Sequence, residues 1–91
     1  MNCTIFIELK VIEFLLSLIK KPEKLNSQII EDIFSCLNNL SALEIGRKTI
    51  KENNGIQIII PFLKAKDHNI SAKVAAVMIN LGFDGNFTDS Y

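Results

Sequence analysis

Few of the 91 side chains have the chemistry of a catalyst or a metal ligand, and their spacing argues against both uses. His68 is the only histidine and stands beside Asp67 in an expected inter-helix turn, where a solvated or capping role outweighs general-base work. Cys3 and Cys36 lie far apart with neither a CxxC nor a Cys-His spacing, so they suggest no zinc site and no disulfide framework, and a reducing compartment is the default. Cys36 falls on an apolar helix face and is expected to be a small buried hydrophobe, since a nucleophilic thiol needs an activating base that the sequence does not supply. Glu31 and Asp32 read as favourable charge near a helix start. Gly46, Gly55, Gly82 and Gly85 sit where helices begin or end, and no glycine-rich loop could cradle a phosphate. No catalytic residue, metal ligand or cofactor is therefore assigned, and the chain is not expected to be an enzyme.

The polar residues whose spacing does carry information are two amides. Asn39-Leu40-Ser41 and Asn80-Leu81-Gly82 close two stretches of similar pattern, 41 residues apart (80 − 39). At that offset Ile29 falls on Ile70, Ile33 on Val74, Phe34 on Ala75, Cys36 on Val77, Leu37 on Met78 and Leu40 on Leu81. Further upstream the offset becomes 44 (56 − 12): Ile12 falls on Ile56, Phe14 on Ile58, Leu15 on Ile59, Leu18 on Phe62 and Ile19 on Leu63. The difference lies in one polar, proline-containing loop near Pro22, where a repeat tolerates a length change best. Periods of roughly 40 to 47 residues are those of helical solenoids, whose units cannot bury their apolar faces alone.

The elements that position these amides follow from apolar periodicity. Ile5, Leu9, Ile12, Leu15, Leu16 and Ile19 make a helical stripe, with further apolar residues between them, so a largely buried first helix is expected to end before Pro22. A second helix is expected over 27–42, with Ser27 as N-cap. A short piece over 46–53 has Ile45 and Ile50 as anchors and closes on Asn53-Asn54-Gly55, where Asn-Gly supplies a left-handed residue. Ile56, Ile58, Ile59 and Ile60 favour a strand by propensity. Pro61 and the overlay on 11–20 favour a helix instead, because proline removes a ladder hydrogen bond from a strand but is tolerated early in a helix. The last helix, about 69–81, takes Asp67 or Asn69 as cap and turns Ile70, Val74, Val77, Met78 and Leu81 inward, with Ala72, Ala75 and Ala76 allowing close packing.

Composition is that of a folded segment, 48% hydrophobic and 22% charged, with ten basic residues balanced by ten acidic ones. Nucleic acid is not an expected partner, because the lysines are scattered among acids rather than gathered into a basic stripe. Nor is a membrane. Glu8, Lys10 and Glu13 interrupt the apolar start before it reaches the roughly 18 residues a span needs.

Ser35-Cys36-Leu37-Asn38-Asn39-Leu40-Ser41, then Asn53-Asn54-Gly55-Ile56, Ile60-Pro61-Phe62-Leu63, Asp67 and Ala75-Ala76-Val77-Met78-Ile79-Asn80-Leu81 resemble successive landmarks of the armadillo repeat. HEAT-like stacks share the period. The resemblance covers essentially the whole chain as a single segment: a partial unit over 1–42, a complete one over 43–82, and the start of a third, or a tail, over 83–91. It implies an all-α, right-handed solenoid of about two repeats and five to six helices, whose third helices line a groove for an extended peptide or partner protein. In peptide-binding members of the family the Asn of the Asn-Leu pair often hydrogen-bonds the ligand backbone, and Asn39 and Asn80 match it. A carboxamide has one acceptor and two donors for that purpose. The other possibility, of equal weight, is that each Asn only helps to end its helix.

Nuclear-import adaptors of this family place Trp one turn before that Asn, forming slots for lysine. Here those positions hold Ser35 and Ala76, and there is no Trp. Partner contact is therefore expected at Ser35, Asn39, Ala76 and Asn80, but not as a nuclear-signal slot. Some flagellar and ciliary armadillo proteins also carry Asn-Leu-Ser units without the Trp slots, and the resemblance extends to that subfamily as one home for the chain; the expected setting is cytoplasmic, with a cytoskeletal, ciliary or nuclear one left open. About two units lie below the three or so that a solenoid needs. The chain is thus expected to be a fragment of a longer array, to be a truncated gene product, or to self-associate through its ends. The alternative function is a self-associating structural bundle or spacer with no ligand groove.

Overall fold

The computed structural model describes residues 3–82, with side chains described from Leu9 onward. Every regular element in that range is helical: α1 (Cys3–Ile19), α2 (Ser27–Ser41), α3 (Glu44–Glu52), α4 (Gly55–Ile59) and α5 (His68–Asn80), with 3-10 turns at Pro22–Lys24 and Ile60–Lys64. The expected start of a further unit at Phe83 lies outside the described residues, as does Gly85.

Helix α1 stops where the sequence requires, and Pro22 opens the 3-10 turn that follows. Ile12, Leu15, Leu16 and Ile19 are buried. The expectation of a largely buried helix holds for that face only, because Val11 and Phe14 are exposed, Phe14 to 61%. The N-cap of α2 is Asn26 and not Ser27: the Asn26 carboxamide oxygen accepts from the Ile29 N–H at 2.8 Å. Glu31 and Asp32 consequently lie beyond the first turn, and Asp32 accepts from Gln28 Nε2 at 3.0 Å instead of serving the helix start. At the other end Arg47 Nη1 donates to the carbonyls of Ser41 and Ala42, at 3.1 and 3.0 Å, satisfying acceptors that the helix leaves open.

Helix α3 crosses this end of α2 at close range. Gly46 lies within α3 rather than at its edge, and a Cβ there would overlap the Leu40 carbonyl oxygen. Ile50 is fully buried, whereas Ile45 is at the surface and anchors nothing. The left-handed residue after α3 is Asn54 (φ 60°), while Gly55 is needed for close approach, since a Cβ on it would strike Ile50. The disputed isoleucine run is helical. Pro61 has no N–H to donate to the Gln57 carbonyl, so α4 lasts only to Ile59 and the chain continues as a 3-10 turn. Asp67 caps α5 by accepting from the Asn69 N–H at 2.9 Å, and His68 is the exposed first residue of that helix.

One apolar cluster joins all five helices. Helix α5 lies along α2, α3 packs against both α1 and α2, and α4 rests on α1. Phe34 of α2 meets Phe62 of the second 3-10 turn edge to face, with centroids 5.1 Å apart. The principal extents are 40, 33 and 18 Å.

The α2–α3 crossing gives a signed test. Gly46→Ala should gain up to about 1 kcal/mol if helix propensity alone counted. The overlap with Leu40 predicts instead a loss of about 1–3 kcal/mol, read as a lower Tm with two-state melting retained.

Candidate interaction surface

The two helices that carry Asn39 and Asn80 pack against each other side by side. Asn80 Nδ2 donates to the Asn38 carbonyl oxygen at 3.3 Å, to Asn38 Oδ1 at 3.0 Å and to Ser41 Oγ at 2.9 Å. Seven residues earlier (80 − 73), Lys73 Nζ lies 4.0 Å from Glu31 Oε2. Both contacts join residues 42 apart (80 − 38 and 73 − 31), so α2 and α5 run parallel with a constant register over two helical turns.

Magnitudes separate what binds these helices from what aligns them. The α5 face buries Ile70, Val74, Val77 and Met78, and its C-cap Leu81 is buried too, each worth roughly 1.5–3 kcal/mol when fully buried. The partly exposed ion pair adds about 0–1 kcal/mol and each amide hydrogen bond about 1 kcal/mol. Apolar burial holds the helices together. The hydrogen bonds fix their register, because a shift of one residue would strand the Asn80 amide.

The four expected contact residues do not form one equivalent set. The Asn39 carboxamide is exposed and makes no hydrogen bond among the described residues, while the Asn39 carbonyl accepts from the Ala42 N–H at the helix end. Asn80 is half-buried with its donors engaged. Ser35 and Ala76 are both half-buried, and neither lines the cleft at the end of α1. Cys36 is exposed, against the expectation of burial, although its counterpart Val77 is fully buried. Asn38 and Ser41, the acceptors for Asn80, were not singled out by the sequence. Their signal was polarity at the end of an otherwise apolar α2 face, at positions whose counterparts one period later are Ile79 and Gly82.

An open cleft of about 460 Å³ lies between the end of α1 and the second 3-10 turn, lined by Ile19, Lys20, Pro22, Gln57, Ile58, Pro61 and Phe62. Its lining is mainly apolar, with Lys20 and Gln57 as the polar side chains. Among the described residues no three His, Cys, Asp or Glu side chains are grouped to hold a metal ion, and no helix is long and apolar enough to cross a membrane. No family model, curated protein or solved structure matches the chain.

The asymmetry between the two amides is measurable. Asn80→Ala leaves Asn38 and Ser41 without their donor and should cost about 1–3 kcal/mol. Asn39→Ala should change stability by less than about 0.5 kcal/mol. Urea denaturation of both variants checks the contrast.

Proposed function

We propose that the chain is a non-enzymatic protein-interaction scaffold of armadillo type, a right-handed stack in which α2 and α5 are the third helices of successive units and present a shared surface to an extended peptide segment. The observation that carries this reading is the parallel α2–α5 register together with the exposed Asn39 carboxamide, which makes no hydrogen bond among the described residues. An extended chain offers alternating N–H and C=O groups, and a free carboxamide can serve one of each. The balance of ten basic and ten acidic residues favours a protein partner over nucleic acid.

One observation favours a second reading. Asn80, the counterpart of Asn39, spends its donors on Asn38 and Ser41, so here the motif serves as a structural tie. On this reading the chain is a structural, self-associating segment.

Selection from a displayed library of linear peptides separates the two. The scaffold reading expects enriched peptides that bind the wild type and lose roughly tenfold in affinity to Asn39→Ala, the equivalent of about 1.4 kcal/mol, with Tm unchanged. A selection that yields no binders, or binders indifferent to Asn39, supports the structural reading.

A further inference from the structure

On one side of the molecule, matching positions of the two sequence-related segments differ in burial. Ile70 is 5% exposed but Ile29 is 42% exposed, and Val77 is fully buried where Cys36 lies open. Ile58 is half-buried, lining the cleft against Ile19 and Pro22, while its counterpart Phe14 is exposed. In these three pairs the second-segment residue is the more covered one, and its first-segment counterpart is exposed. The converse holds on the far side. Glu31 and Asn38 of α2 are half-covered by α5, but their counterparts Ala72 and Ile79 are exposed, Ile79 to 70%.

We infer that this chain binds a second copy of itself head to tail, the Ala72–Ile79 face of α5 in one copy docking on the Ile29–Cys36 face of α2 in the next and continuing the α2–α5 packing between molecules. This rests on the repeat relation in the proposed function but not on any peptide groove. The occupant follows from the chain's own junction, because the α2 face at 29, 36 and 39 matches the α5 face at 70, 77 and 80 that already packs on α2. The internal offset of 42 and the repeat offset of 41 together set Cys36 opposite Ala76 of the neighbour and Asn39 opposite Ile79. At that place Asn39 can donate to the Ile79 carbonyl, as Asn80 does to that of Asn38. The side-chain acceptors Asn38 and Ser41 have no counterpart in Ile79 and Gly82, so the intermolecular junction is weaker than the internal one and reversible. A head-to-tail contact uses two different faces and so extends into chains or rings rather than closing as a symmetric pair.

The test blocks one face at a time with Ile29→Arg or Ile79→Arg, both at exposed positions, with folding checked by circular dichroism. Light scattering should show the wild-type mass rising with concentration beyond a dimer. Each variant alone should stay at the mass of one chain, and an equimolar mixture should form a one-to-one dimer, because one intact head and one intact tail remain. A wild type that stays monomeric at every concentration overturns the inference. So does a single variant that still dimerises, since that would mean a face pairing with itself. Neither outcome bears on whether linear peptides bind at Asn39.

Discussion

The parallel packing of α5 on α2 is the constraint on which the rest of the structure depends. These are two of the three longest helices, and α5 with its C-cap Leu81 supplies five of the buried apolar side chains in the single core. Without that contact α5 would be left with its 3-10 connection alone, and a thirteen-residue helix is marginal in water on its own. The hydrogen bonds from Asn80 add little energy beside the apolar burial. They matter because they admit one alignment, and the offset of the two segments in space is set there.

The other elements serve this contact by bringing α2 and α5 to the correct separation. Two short connections do most of it. Gly46 lets α3 approach the end of α2, and the pair Asn54 and Gly55 turns the chain directly into α4 against Ile50. Pro61 then prevents α4 from extending, so the polypeptide leaves as a 3-10 turn that sets Phe62 against Phe34 and delivers Asp67 to cap α5. Each is a local steric or hydrogen-bond requirement, and together they leave α5 with a single place to lie.

Much of this was legible in the sequence. Helix periodicity marked the inward residues of α5, every one of which is buried, and the conflict between isoleucine propensity and Pro61 resolves toward the helix that the repeat alignment requires. What escaped is what depends on neighbours. Cys36 sits on an apolar stripe, but burial needs a second surface, and among the described residues nothing packs on that side of the first segment. Ser27 and Asn26 are both good capping residues, and only the backbone geometry selects Asn26. The role of Asn80 was unreadable for a similar reason. Its acceptors lie a full period away, at Asn38 and Ser41, and the polarity of one helix end does not reveal which neighbour it meets.

The most direct measurement of the α2–α5 claim is native-state hydrogen exchange resolved by residue. If the packing couples the two segments into one body, the central amides of α2 and α5 will open together, at the same free energy, equal to that of global unfolding. Exchange in which α5 opens at a markedly lower free energy while α2 stays protected would contradict the account.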